Sequence, residues 1–417
     1  MVPSPIRRLL NNRIAQNAAA LYAVQLFSTL LPLVSIPILT RILGPESMGF
    51  LGFGQSFANW LAVVGEYGFN YSATRSIARQ RDNANAVAGI VMSIIGAKLL
   101  LVLGMFLVTV VGLLAIPIFR EQNALAFWAL GIAVAAALNP LWYFQAIERA
   151  WFMAVLEFVA RILHLLGIIL FVRDPQDAWV ALAAQAVTAL FTASIGLYLM
   201  YREVPFKMPT LPLSVVALRV SWSLFLARAA DSFYVSANGM ILGLLSVPAQ
   251  IGFFSSAERL VRPGLSFLFP LAQAIYPRIN NLMKRDEQAA TRLSWLALLA
   301  TTGLGFAGGM MLFLVAPWVV PWLLGDQFHD SVPVVQVLSL LLPIVGFGFS
   351  LSMQYMFPRR MDREVTFSVL IAASVNVVLA ILLAPRMGAM GMAIAVVSAE
   401  ASAALTRFVI LKLRRVL

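Results

Sequence analysis

Apolar residues run along this chain in stretches of about 20, the length a helix needs to cross a bilayer, and short polar or basic groups separate them. The alternation predicts spanning helices near residues 17–40, 50–71, 86–114, 124–144, 151–171 and 178–201. A second set is predicted near 217–245, 250–276, 292–315, 332–357, 365–384 and 389–411. Between the sets, Pro205, Pro209 and Pro212 stand in a polar stretch. Proline-rich composition favours an extended, semi-rigid connector. The expected fold class is therefore all-α integral membrane: twelve transmembrane helices in two six-helix lobes around a central cavity. The N-terminal lobe covers 1–204, a cytoplasmic linker 205–216, and the C-terminal lobe 217–417.

The halves echo one another. Ile42-Leu43-Gly44 followed by Gly49-Phe50 is repeated as Ile241-Leu242-Gly243 followed by Gly252-Phe253. An offset of about half the chain is what duplication of six helices leaves, and an even number makes the repeat parallel.

Charge placement tests the helix count, because cytoplasmic connections collect Lys and Arg. Alternate connections hold twenty basic residues, from Arg7, Arg8 and Arg13 at the start through Arg278, Lys284, Arg285 and Arg292 to Lys412, Arg414 and Arg415. The opposite connections hold four, Arg41, Arg120, Arg173 and Arg386. Both termini are expected in the cytoplasm. The start, Met1 to Arg13, is short and basic and leads into a run long enough to span, so no cleavable signal is expected.

Composition agrees: 61% of residues are hydrophobic and 12% charged, against about 25% charged in soluble domains. The net charge of +12 does not imply nucleic acid, since its basic groups lie between apolar runs and no aromatic-rich basic face accompanies them. Cysteine is absent, and His164 and His329 are far apart. Disulfides and a structural zinc site are excluded on that basis; no metal or cofactor is expected.

Once the loop charges are set aside, Lys98, Arg161, Arg228, Arg259, Arg262 and Arg407 remain within spans, with Glu66, Glu157, Asp231, Glu258 and Glu400. Each lipid-facing charge costs about 2.5–3.5 kcal/mol. Together they would exceed a typical folding stability of about 5–15 kcal/mol, so most must face water or one another. Gln55, Asn59, Glu66 and Asn70 recur at spacings that keep them on one helix face. So do Ser255, Arg259, Arg262, Ser266 and Gln273, then Arg228, Asp231 and Asn238, and also Glu157, Arg161 and His164. A hydrated cleft between the lobes is expected. Pro32, Pro37, Pro263 and Pro270 remove backbone donors within these helices and favour kinks, which serve either packing or motion.

Some of these charges have two readings. Glu157 and Arg161 form either a structural i,i+4 ion pair or part of a site. Lys98 is expected to bury its stem and snorkel, and His164 to be a hydrogen-bonded packing residue. Glu400 and Arg407 pair with neighbours on the bland reading. Arg228, Arg259 and Arg262 carry the functional reading, because guanidinium forks bind phosphate oxygens through paired hydrogen bonds.

The stretches LLPLVSIPILTRILGPESMGFLGFGQSF (30–57), EYGFNYSATRSIARQRD (66–82) and NPLWYFQAIER (139–149) occur in that order. ILG followed by GFFSSAERLVRP (241–263) and then AIYPRI (274–279) come after them. In these the chain resembles the polysaccharide-transporter family, the Wzx-type O-antigen flippases of the multidrug/oligosaccharidyl-lipid/polysaccharide exporter superfamily. The likeness spans essentially the whole chain. It departs at Ala146, where similar proteins usually have Gly before a hydrophobic residue and Glu.

The resemblance implies a V-shaped bundle in a bacterial inner membrane, working by alternating access and not as an enzyme. It implies an undecaprenyl-pyrophosphate-linked glycan as substrate, carried to the periplasmic leaflet. The candidate cavity residues are Arg228, Arg259, Arg262, Arg161, Gln55, Asn59, Asn238 and Gln273. Coupling to H+ or Na+ is common in the superfamily, with Glu66, Asp231, Glu258 and Glu157 as candidates. Membrane lipids and polysaccharide polymerase machinery are the further expected partners. Two alternatives stand beside this one. A multidrug exporter for organic cations calls for an acidic cavity, whereas this set is slightly basic. A membrane polymerase or ligase calls for a large periplasmic loop, and the outward connections, including Asp174 with Asp177 and Asp326 with Asp330, are short.

Overall fold

A computed structural model describes residues 13–283 and 285–416, with side chains for all of them except 13–32, 227–235 and 271. Every predicted span is built of helix, though some of them are interrupted, and no strand occurs among the described residues. The first two spans are one helix, α1 (Arg13–Glu66), interrupted only at Gly44, whose φ of 72° and ψ of 176° leave the helical region. Glycine adopts that conformation freely, and Pro45 directly after it is pre-set to start the next helical turn. The last two spans join in the same way in a helix of 52 residues, Asp362–Leu413, broken at Gly388. The dihedral breaks thus fall at these glycines. Pro263 and Pro270 instead sit inside a continuous helix, Pro248–Leu282.

The span expected at 50–71 ends early. Tyr67 and Gly68 both take positive φ, 46° and 73°, and a separate helix α2 (Phe69–Ala78) follows. It buries Phe69, Ala73 and Ile77 against the next helix, α3 (Ala84–Ala115), and against Trp142 and Phe144. Asn70 therefore lies beyond the break and shares no helix face with Glu66, contrary to the spacing argument. α3 begins at Asn83, whose side-chain oxygen accepts the N–H of Ala86 at 3.1 Å. Asn83→Ala is expected to cost about 1 kcal/mol and Asn83→Gly only a few tenths. Thermal unfolding of the detergent-solubilised protein reads the difference; equal losses would remove the cap as the cause.

α4 (Pro117–Glu121) and α5 (Asn123–Leu138) follow, and then Asn139-Pro140 ends the helix before α6 (Leu141–Ala146). α7 (Ala150–Phe171) and α8 (Ala178–Glu203) complete the first set. The turn after Ala146 is made at Glu148, with φ of 62°; Ala146 itself is buried as the last helical residue. The second set comprises α9 (Leu211–Leu245), α10 (Pro248–Leu282), α11 (Glu287–Leu324), α12 (Ser331–Ser339), α13 (Leu341–Ser350) and α14 (Asp362–Leu413). A π turn, Leu351–Met356, follows α13. Among the described residues, seven helical segments are long and apolar enough to cross a membrane.

The helices gather into two units. One contains Phe57–Arg173 and Trp179–Ala229 with the start of α1; the other contains Ile36–Ser56, Asp174–Ala178 and the chain from Ala230 onward. The first has its core at Trp142, Tyr143, Phe144, Met153 and Met200, packed on α2 and α3. In the second, the repeated motifs meet each other. A Cβ at Gly49 would fall on the carbonyl of Pro248, and a Cβ at Gly252 on the carbonyl of Pro45. Pro45 and Gly49 stand 203 positions before Pro248 and Gly252 respectively, so the contact is reciprocal between equivalent positions. Arg41 donates to the Trp322 carbonyl at 2.7 Å and Gln327 to that of Thr40 at 3.0 Å, tying the same end of this unit.

Candidate functional site

Among the described residues, each unit carries a polar cluster built from the predicted polar faces. In the first, the cluster grows from the end of α5. Pro140 disfavours helical geometry in the residue before it, and Asn139 takes φ −58° and ψ 121°. The Leu141 N–H, the helical partner of the Ala137 carbonyl, instead donates to Asn139 Oδ1 at 3.0 Å. Ala137 is left with an orphan acceptor, and Lys98 Nζ donates to it. Lys98 is 1% exposed, so it does not snorkel; the freed carbonyl holds the ammonium inside, 5.8 Å from the centroid of the Trp142 ring. Glu66 lies within Coulombic reach of Lys98. The Asn139 amide nitrogen donates to Glu157 Oε1 at 3.4 Å, and Arg161 and Glu66 both act electrostatically on Glu157.

Glu66 and Glu157, read separately in the sequence, thus belong to one group with Lys98, Asn139 and Arg161. Lys98 and Asn139 were not singled out as site residues. The Asn-Pro helix stop was the available signal for Asn139; Lys98 was marked as a charge within a span but expected to snorkel. Asn59 is exposed on α1, and His164 is half-buried beyond Arg161 on α7.

In the second unit, Arg259 and Arg262 occupy adjacent turns of α10. Arg259 donates to Gln55 Oε1 across the two helices, a pairing between two of the predicted polar faces. A neutral amide orients this guanidinium and leaves its charge uncancelled by that bond. Arg262, by contrast, makes a 2.7 Å ion pair with Glu258 one turn back, with its side chain 49% exposed. Asn238 is 2% exposed, and its Oδ1 finds no partner among the described residues. Gln273 is exposed, three turns along from Arg262. Arg228 and Asp231 lie outside the residues whose side chains are described. Arg407 donates to Ser368 Oγ at 2.8 Å and to the Gly348 carbonyl at 3.1 Å. Asp174 and Asp177 close a turn, the Asp174 N–H donating to Asp177 at 2.9 Å. Among the described residues, no three His, Cys, Asp or Glu side chains gather as a metal site.

Residues 14–283 match the family model described as polysaccharide biosynthesis protein. A protein of Escherichia coli (strain K12) named as an O-antigen transporter is 28% identical over 360 residues, 86% of each chain. Among solved structures, the lipid II flippase MurJ in an inward closed conformation superposes with a TM-score of 0.75 at 12% identity, covering 94% of this chain and 87% of that one. An inward-facing multidrug resistance MATE transporter of the MOP superfamily gives 0.69 at 17% identity, covering 95% and 98%. At such identities the likeness to these two structures is one of fold.

Proposed function

Because the chain belongs to the polysaccharide biosynthesis protein family, we propose that it is a flippase for a lipid-linked oligosaccharide. In this reading it is a multi-pass transporter of a bacterial inner membrane, with twelve crossings in two six-helix lobes and both termini cytoplasmic. The substrate is an undecaprenyl-pyrophosphate-linked glycan, carried from the cytoplasmic to the periplasmic leaflet. Arg259 is the observation that carries the reading: a guanidinium oriented by the amide of Gln55 is pre-set to offer its remaining donors to a phosphate oxygen. Arg262 exchanges Glu258 for the second phosphate, and Arg228 supplies a third cation from α9. Arg161, Asn59, Asn238 and Gln273 line the path of the sugar, whose hydroxyls need both donors and acceptors. Asn238 Oδ1 is one such acceptor. Glu66 and Glu157 in one unit, with Asp231 and Glu258 in the other, exchange the coupling H+ or Na+.

Losing a charge-assisted hydrogen bond costs about 1.5–3 kcal/mol, roughly 10- to 100-fold in rate. Arg259→Ala and Arg262→Ala are accordingly expected to slow leaflet transfer of a lipid-linked glycan by that factor in proteoliposomes. Arg259→Lys keeps the charge but loses the fork, and falls between. Normal transfer in the double Ala variant would overturn the pyrophosphate role. The fold shared with a multidrug transporter keeps drug export as the competing reading; resistance conferred on an efflux-deficient host, without glycan transfer, would select it.

A further inference from the structure

Four arginines stand in the connections that the charge pattern assigns to the far side of the membrane, Arg41, Arg120, Arg173 and Arg386. Basic residues are sparse on that side, so those present call for a local reason. Three of them donate to carbonyls at helix C-termini. Arg120 Nε donates to the Leu114 carbonyl at 2.8 Å, at the end of α3. Arg173 donates to the Leu170 carbonyl at 3.2 Å, at the end of α7. The last carbonyls of a helix lack intrahelical donors and carry partial negative charge, which a guanidinium satisfies. Both of these caps are local, spanning six and three positions of the chain.

Arg41 differs. It lies in the last turn before the Gly44 break, yet it caps Trp322, 281 positions away in the last turn of α11. The return bond has the same character. Gln327, just past α11, donates to the Thr40 carbonyl, in the turn that Gly44 ends. Two helix C-termini thus meet, and their like partial charges repel; one guanidinium and one amide hold them together. Both side chains are exposed, so water can take over either bond when the ends part. Behind them α1 and α10 touch through Gly49 on Pro248, Gly252 on Pro45, and Gly52 against Ser255. Ser255 is 8% exposed there.

In the two-lobe reading proposed above, residues 36–56 belong to the N-terminal lobe, but they pack within the second unit. Alternating access rocks one lobe against the other, which requires this segment to leave that unit. We propose that Arg41 and Gln327 form a latch that holds this end of the transporter shut, the periplasmic end in the orientation given above. The latch rests on the flippase reading. On release, the segment withdraws from α10 and α11, and Ser255 opens to the periplasm.

The chain contains no cysteine, so one introduced thiol is a unique reporter. Ser255→Cys is labelled in spheroplasts with a membrane-impermeant maleimide, alone and combined with latch variants. Removing a charge-assisted hydrogen bond through Arg41→Gln should speed labelling about tenfold, and Gln327→Ala should speed it less. Arg120→Gln, which removes a local cap, should leave the rate unchanged. Equal labelling of Arg41→Gln and its parent would overturn the latch, as would an equal rise in Arg120→Gln, the mark of general loosening. A second measurement locks the contact instead of weakening it. Arg41→Cys with Gln327→Cys, bridged by a short thiol-cleavable crosslinker, should lose glycan transfer in proteoliposomes and regain it on reduction. Full transfer by the bridged protein would overturn the latch. If no variant transfers glycan even before bridging, the flippase reading fails, and the labelling contrast still decides the latch.

Discussion

Gly49→Ala is expected to destabilise the protein by about 3 kcal/mol, at the upper end of what overpacking costs, although alanine is the better helix former. Propensity alone favours the substitution by up to about 1 kcal/mol. The opposing effect is larger because the added Cβ lands on the backbone carbonyl of Pro248. A side chain can rotate aside; a carbonyl at the first turn of α10 can retreat only if the two helices separate. Gly252→Ala makes the mirror-image demand on the Pro45 carbonyl and should cost a similar amount. Since either change forces the same separation, the double variant should cost clearly less than the sum, a coupling expected of sites in contact. Gly303 is the control: nothing lies within 4 Å of its Cβ position, so Gly303→Ala should be neutral or slightly stabilising. Denaturant unfolding in detergent micelles measures all four. Additive losses, or a Gly49→Ala variant as mild as Gly303→Ala, would contradict the reciprocal contact.

That contact shows where sequence reading reaches and where it stops. The repeat of Gly49-Phe50 as Gly252-Phe253 is visible along the chain, and so is the helical character around it. That the copies pack on each other is not visible, because it depends on a helix crossing close enough to exclude a methyl group. The polar faces behaved similarly. Gln55 and Arg259 were both marked by spacing, and they meet. Asn70 was marked by the same spacing and does not share the face, because the helix ends at Glu66; Gly68, just beyond, was the overlooked stop signal. Lys98 was misjudged for a different reason. Whether a lysine in a membrane helix snorkels or stays inside depends on the acceptors available, and its acceptor, the Ala137 carbonyl, lies 39 positions away. Only the geometry after Asn139-Pro140 leaves that carbonyl open.

Lys98→Met should leave the fold nearly as stable as it is and lower gradient-driven transfer at least tenfold. Replacing a buried charge by an apolar side chain of similar length is often neutral or stabilising by about 1–4 kcal/mol. Against that, the Ala137 carbonyl loses its donor, at about 1–3 kcal/mol. The two nearly cancel. Lys98→Ala has no such compensation: it opens a cavity beneath the Trp142 ring, and deletions of that size cost about 2–5 kcal/mol. If Glu66 and Glu157 carry the coupling cation, as proposed above, a buried ammonium within reach of Glu66 and sharing a group with Glu157 competes with that cation. In Lys98→Met the carboxylates hold their cation without a competitor, the exchange stops, and transfer under an imposed gradient should fall at least tenfold while the unfolding midpoint stays within a few degrees. Glu66→Gln should then lower the midpoint of the wild-type chain, whose ammonium it strips of a partner, more than that of Lys98→Met. If Lys98→Met instead unfolds like Lys98→Ala and the surviving protein transports at the normal rate, the lysine is a packing element and coupling must be sought at Glu258 and Asp231.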